Sequence, residues 1–443
     1  MSLKRGLFYT LLTQAPTLVL YFVASTVMTR MLGDVGRGEY TLITNLGTLL
    51  AMLMSLNIGF GVTYFISKQP EDRSRIIGTA TTALLLNAVL VPILLSVAAG
   101  IPSFSRIIMP DTRTHWLYWG FVYTNVMLSL LNTTISSILL GHKRFHILNW
   151  MSMLNAGLSA VGMLVLFLLP DRMDPADRLP EVLIVSTITV ALVSAGWCVL
   201  YVVHVRVKPR LILAWSVLRP MIVFSLIGHV SNLINLINYR FDVWVVDQYR
   251  GAAELGLYAV AVGVAQLLFN IPEPFSRVVQ PYLFGHSREE MLPRFKAIAR
   301  INFTVLLVLA LVLGSMATWL IPLLFGETFA PSVLPLRLLL PGIVLSGAAK
   351  LLAQLVIQAG FQHFNLLATS CAAVVTITLD LLLIPIWGGA GAAIATTISY
   401  AVVLLVILAT LRWRSHIPVH DLFLVRRSDL SVLTRNLPWK AKP

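Results

Sequence analysis

The sequence predicts an all-α polytopic membrane protein, with about twelve transmembrane helices in two parallel six-helix lobes around a central cavity. Three observations predict it. Hydrophobic residues make up 57% of the 443-residue chain and charged residues 12%, against roughly 45–50% and about 25% in soluble domains. Apolar runs of about 20 or more residues, enough to cross a bilayer as a helix, recur from end to end. A signature also occurs twice: Gly33-x4-Gly38-x-Tyr40 returns as Gly251-x4-Gly256-x-Tyr258, 218 residues later. A second echo, Gly141-x3-Phe145 and Gly360-x3-Phe364, is shifted by 219. Echoes in one order, at nearly one offset, indicate a duplicated unit.

Helices are expected at about 7–29, 40–67, 76–99, 116–140, 146–169, 181–205, 220–246, 256–282, 298–322, 333–359, 365–386 and 389–411. Lys4 and Arg5 before an apolar stretch imitate a secretion signal. The stretch from Leu7 to Thr29 is longer than a signal core, so it reads as a permanent first helix. With the N-terminus in the cytoplasm, inside segments carry 22 Lys and Arg and outside loops 8. That bias is the one that sets membrane orientation, and it puts both termini inside. The net charge of +14 is therefore mostly a topology signal. The basic tail, with Arg412, Arg414, Arg426, Arg427, Arg435, Lys440 and Lys442, is expected to lie against anionic membrane lipids. No aromatic-basic module points to nucleic acid.

The two copies start six helices apart, so both halves share one orientation, a parallel repeat. The lobes are expected at 1–205 and 220–411, joined by a linker at 206–219 and followed by the tail at 412–443. The repeated signature falls between helices one and two, and between seven and eight. Its glycines suit a tight reversal with positive φ, and its tyrosine suits the membrane–water boundary. Cys198 and Cys371 lie in apolar spans and read as small core residues.

Ionisable groups inside a bilayer are costly and need a reason. Helix seven carries Gly228, Ser231, Asn232, Asn235, Asn238, Tyr239 and Asp242 on one face. The same face of helix one carries Thr10, Thr13, Gln14, Thr17 and Tyr21. Such stripes line a wet cavity between lobes, or make interhelical hydrogen bonds in a dry bundle. Helix eight holds Pro272, Glu273 and Pro274, with Arg277 one turn on. Its prolines should break or kink the helix, and Glu273 and Arg277 can pair. Lys350, Gln354 and Gln358 make a polar face on helix ten, and Asp380 lies in helix eleven. Lys350, Arg240 and Arg277 would draw an anion inward, with Arg30 extending the path; Arg30 and Arg240 can also snorkel to the interface. Asp242, Glu273 and Asp380 are candidates to bind a coupling proton or sodium ion.

No ATP-binding P-loop or His-Glu-x2-His zinc motif occurs. His416-x3-His420 is a pair in the tail, and Gly388 to Ala393 suits close helix packing better than a dinucleotide loop. No catalytic constellation, metal site or cofactor is expected.

Three segments carry a family resemblance: Arg30-Met31-Leu32-Gly33-Asp34-Val35-Gly36-Arg37-Gly38-Glu39-Tyr40, Gly141-His142-Lys143-Arg144-Phe145, and Leu383 to Ala393. They resemble Wzx-type oligosaccharide exporters, in the superfamily that includes MATE drug exporters and the lipid II flippase MurJ. The resemblance implies two six-helix bundles in the bacterial cytoplasmic membrane. It implies movement of an undecaprenyl-diphosphate-linked oligosaccharide to the outer leaflet, alongside glycan-assembly partners. A cationic cavity would meet the diphosphate, and Lys350, Arg240 and Arg277 fit that role by type. Gln248 stands in the second copy where Arg30 stands in the first, which argues against a symmetric arginine pair. Twelve helices rather than fourteen favour the O-antigen or capsule type. The alternatives are a MATE-like cation or drug antiporter, which wants a carboxylate-dominated cavity, and an integral-membrane glycan enzyme, which wants a large outer loop.

Overall fold

The computed structural model describes residues 3–101, 108–109, 115–169, 178–205, 211–212, 214–269, 288–414, 417–423, 425–426 and 429. The described residues form helices joined by turns, with no strand. In chain order these are α1 (Leu3–Ser55), α2 (Ile58–Lys68), α3 (Arg73–Gly100), α4 (His115–Gly141), α5 (Phe145–Leu168), α6 (Leu179–His204), α7 (Trp215–Phe269), α8 (Arg288–Phe325), α9 (Val333–Gln358) and α10 (His363–Trp413).

Three of these are hairpins of two helical limbs around one glycine: Gly33 in α1, Gly251 in α7 and Gly388 in α10. Long-range contacts show the reversals. Tyr21 and Thr48 line one cavity across Gly33. Tyr258 hydrogen-bonds Asp242 across Gly251. A Cβ on Gly391 would lie 2.5 Å from the Leu383 carbonyl oxygen across Gly388. A straight helix would hold each pair a dozen ångströms or more apart, at about 1.5 Å per residue. Nine long apolar spans occur among the described residues, and three of them double back. The result is the all-α polytopic membrane fold with the expected twelve segments.

The repeated signature divides its labour. Its first glycine takes nearly the same backbone in both copies, φ 65° and ψ −171° at Gly33, φ 82° and ψ 174° at Gly251. Only glycine enters that region without strain. Its second glycine does not have positive φ, contrary to expectation. It is required by close approach instead. A Cβ on Gly38 would lie 1.8 Å from the Ala252 carbonyl oxygen, and one on Gly256 would lie 1.9 Å from that of Asp34.

The second echo is not in register. Gly360 has φ 81°, and the Phe361 amide closes the helix end onto the Val356 carbonyl. In the first copy that role falls to Lys143, φ 60°, with the Arg144 amide on Leu139. Gly141 instead packs against Ile66, 2.9 Å from a built Cβ. The two glycines share a letter but not a function. The expected helix 40–67 also breaks, at Leu56 (φ 42°) and Asn57 (φ 52°). Asparagine tolerates the left-handed region because its short amide can bond locally.

Packing divides the chain into two compact units. One comprises Pro16–Leu236 with Gly251–Gly256. Its apolar core joins Val62, Ile66, Ile77, Ile138, Leu139, Met151, Trp197 and Met221. On α3, Leu85, Leu86, Val89, Leu90, Ile93, Leu94 and Val97 are exposed, the expected face of a helix solvated by lipid. Cys198, expected in the core, is also exposed.

The other unit comprises Met1–Ala15, Ile237–Arg250 and Leu257–Pro443. Its core joins Phe295, Leu351, Leu352, Leu355, Val356, Leu404 and Leu411 with Ile417 and Leu422. Those last two residues belong to the segment expected to lie on lipid, and a buried ion pair reinforces the docking. Arg300 Nε donates to Asp429 Oδ2 at 2.7 Å and its Nη2 to Oδ1, while Nη1 donates to the Asp421 carbonyl at 2.8 Å. Asp421 also pairs with Lys296 and Arg426. The described part of the tail is thus held by protein.

Candidate functional site

The second unit contains a polar cluster built by both limbs of α7 and both limbs of α10. Asp242 is buried; its Oδ1 accepts from the Val243 amide at 2.9 Å and its Oδ2 from the Tyr258 hydroxyl. Tyr258, expected at the membrane boundary, is 2% exposed, and it also hydrogen-bonds Thr396. Its place is set by the Gly251 hairpin, which folds the second limb back along the first. Asp380 is fully buried and within electrostatic reach of Asp242. Neither of its oxygens has a hydrogen-bond partner among the described residues.

Asn238 extends this cluster. Its amide donates to the Thr369 carbonyl at 3.0 Å, and its oxygen is 3.3 Å from the Thr376 hydroxyl. Thr376 in turn lies 2.8 Å from the Ser399 hydroxyl. Arg240 is within electrostatic reach of Asp242, so the two acids have a cation beside them. Such a pair can hold one proton or one small cation, and the empty acceptors of Asp380 are where it would sit.

Lys350 sits on an aromatic group that adjoins this cluster through Tyr400. Its Nζ sits 3.2 Å from the centroid of Phe269, a cation–π contact. Phe269 stacks on Tyr400, and Tyr239 meets both rings edge-on at 5.7 and 6.1 Å. The ring quadrupole attracts the ammonium to the Phe269 face. Gln354, one turn along α9, has a buried side-chain oxygen without a hydrogen-bond partner among the described residues.

The structure therefore brings Asn238, Asp242 and Asp380 together, and Lys350 with Tyr239. Asn232 and Arg30 are exposed, while Gln14, Asn235 and Arg240 are half-buried. Glu273 and Arg277 lie outside the described residues. Sequence reasoning missed Tyr258, Thr376, Thr396 and Tyr400. Tyr258 carried a signal, its place in the repeat.

The first unit holds a cavity of about 580 Å³. Both limbs of α1 line it, through Tyr21, Ser25, Tyr40 and Thr48, with Asn125, Ser129 and Asn132 from α4 and Asn155 and Ser159 from α5. No charged side chain lines it. Of these residues, only Tyr21 and Tyr40 stood out in the sequence.

The polysaccharide biosynthesis protein family matches this chain over residues 3–286. The chain belongs to that family. No curated protein matches it. Among solved structures it is similar to an inward-facing multidrug resistance MATE family transporter of the MOP superfamily. That match has 14% identity and a TM-score of 0.74, over 90% of this chain and 94% of the other. It is also similar to the lipid II flippase MurJ in an inward closed conformation, at 11% identity and a TM-score of 0.75, over 96% and 90%. A MOP superfamily transporter from Pyrococcus furiosus matches at 13% identity and a TM-score of 0.56, over 94% and 96%. These likenesses establish the fold. This polysaccharide biosynthesis family member is a multi-pass membrane protein with the fold that those transporters and the flippase share. The family match includes Asp242 and Tyr258, while Lys350 and Asp380 lie beyond it.

Proposed function

We propose that this chain moves a lipid-linked oligosaccharide, on an undecaprenyl-diphosphate carrier, from the inner to the outer leaflet of a bacterial cytoplasmic membrane. The lobes at 1–205 and 220–411 alternate access between the two sides, the 206–219 segment links them, and both termini are cytoplasmic. The observation that carries this reading is Lys350, a cation kept on an aromatic face within a membrane-spanning helix, in a chain of the polysaccharide biosynthesis family. Lys350 meets the diphosphate by charge-assisted hydrogen bonds, with Arg240, Arg277 and Arg30 along the path. Asn232, Asn235, Tyr239, Gln14 and Gln354 meet the sugars, while Asn238, buried with both ends of its amide engaged, braces the acid cluster instead. Asp242 and Asp380 take up the coupling proton or sodium ion, with Glu273 a third candidate.

The test is surface glycan in cells carrying Lys350→Ala at wild-type protein level. Loss of export supports the reading, and normal export removes Lys350 from the site. The buried acid pair also suits a MATE-like cation or drug antiporter. In that case deletion of the chain raises drug susceptibility and leaves the surface glycan intact.

A further inference from the structure

The two halves of the chain differ at matching positions, and the differences converge on one place. Register comes from the backbone. The kink glycines Gly33 and Gly251 set an offset of 218, so Asp242 corresponds to Ala24, Tyr258 to Tyr40 and Phe269 to Ala51. The left-handed helix ends at Lys143 and Gly360 set an offset of 217 for α4 and α9, so Lys350 corresponds to Thr133. The second half thus has an acid, a large ring and a cation where the first half has two methyl groups and a hydroxyl. Ala24, Tyr40, Ala51 and Thr133 all line the same first-unit cavity. The tyrosine that the second half locks onto a carboxylate has no acid beside it at Ala24, and its ring borders open space.

That space has a definite chemistry. Its volume, about 580 Å³, falls in the range of about 300–1,000 Å³ typical of small-molecule sites. The Asn132 side-chain oxygen is buried there without a hydrogen-bond partner among the described residues, so it calls for a donor. The Tyr21 hydroxyl accepts from the Asn155 amide at 2.8 Å, which turns its own proton elsewhere. The Asn125 amide donates to the Phe121 carbonyl at 3.0 Å, leaving its oxygen for another donor. Donors and acceptors alternate among aromatic edges, and no charged side chain is part of the lining; the Arg37 guanidinium lies behind it, against the Tyr40 ring at 5.9 Å and against Met28. A carboxylate or phosphate would lose its hydration with no charged lining group to replace it, since Arg37 is engaged behind Tyr40 and Met28. An acyl chain would leave Asn132 unsatisfied. A neutral sugar ring, whose hydroxyls both donate and accept, meets every requirement.

We propose that this first-unit cavity is a subsite for a neutral saccharide, distinct from the Lys350 group of the second unit. The larger molecule to which that sugar belongs rests on the flippase reading; the binding itself does not.

The test uses the full chain in lipid nanodiscs and saturation-transfer NMR with two probes, maltotriose and trigalacturonate. Maltotriose should give signals and trigalacturonate none. Ala51→Phe, which restores the second half's ring, should abolish the maltotriose signals. Asn132→Leu should weaken maltotriose about tenfold, equivalent to about 1.4 kcal/mol, and it carries the test if the phenylalanine variant does not fold. Absence of maltotriose signals, equal signals from both probes, or signals undiminished in the folded variants would overturn the assignment. A parallel arm scores surface glycan in cells lacking the chain. Unchanged glycan there sinks the flippase reading and leaves the maltotriose result standing, whereas lost glycan with no maltotriose binding does the reverse.

Discussion

Tyr258 and Tyr40 are the same letter in the same motif with different attachments. Tyr258 donates to a buried carboxylate, and hydrogen bonds to charged groups contribute about 1.5–3 kcal/mol. Tyr258→Phe should therefore lower the unfolding temperature of the purified protein clearly. Tyr40→Phe, with Ala24 where the acid would be, should change stability by no more than about 0.5 kcal/mol. Thermal unfolding of both variants in one detergent compares them directly, and equal effects would contradict the placement of Tyr258 on Asp242. Asp380 makes a second residue-level prediction. Asp380→Asn keeps the shape but removes the charge, so it should abolish gradient-driven transport in vesicles while the protein stays folded. Transport unchanged under imposed proton and sodium gradients would rule out the coupling role.

At the scale of the element, the α1 and α7 hairpins depend on glycine for two different reasons. Gly256→Ala puts a Cβ where a carbonyl oxygen lies 1.9 Å away, and overpacking of this kind costs about 1–3 kcal/mol or more. Gly263→Ala, on the same limb of α7, meets nothing within 4 Å, and should be neutral or stabilise by up to about 1 kcal/mol through helix propensity. Opposite signs from two identical substitutions on one limb would confirm that approach, rather than flexibility, selects Gly256. The docked tail is a further element. Asp429 is held below the usual carboxylate range by its hydrogen bonds to Arg300, against the opposing effect of burial. Its contribution is present above the unfolded carboxylate value of about 3.9 and is lost as pH falls through the lower folded value. Limited proteolysis should find the tail protected from about pH 5 upward and released well below pH 4. Asp429→Ala should release it at neutral pH, since breaking a buried pair costs about 3–5 kcal/mol.

For the whole molecule, duplication explains both likeness and division of labour. A repeat about half the chain long supplies the same hairpin twice, and the side chains inside each copy then diverge. The second unit concentrates titratable groups at Asp242, Asp380 and Lys350; the first keeps a neutral cavity at the corresponding positions. Under the proposed function, the charged diphosphate and the uncharged sugars of one molecule would use the two kinds of site separately.

The sequence by itself determined the spans, because a bilayer imposes length and hydropathy on every crossing segment. It also pointed to two of the three kinks through the repeated glycine, since a tight reversal there needs a residue that enters positive φ without strain. Tertiary structure decided the rest. Gly141 and Gly360 looked equivalent because close packing and left-handed backbone both select glycine. The bond from Tyr258 to Asp242, and the approach of Asp380 from more than a hundred residues away, depend on where hairpins place their limbs. The charged residues stood out because charge is expensive in lipid. The serines, threonines and asparagines of the first-unit cavity did not, because neutral polar groups in helices cost little and satisfy themselves on nearby carbonyls. Only the packed structure shows that they face one another across open space.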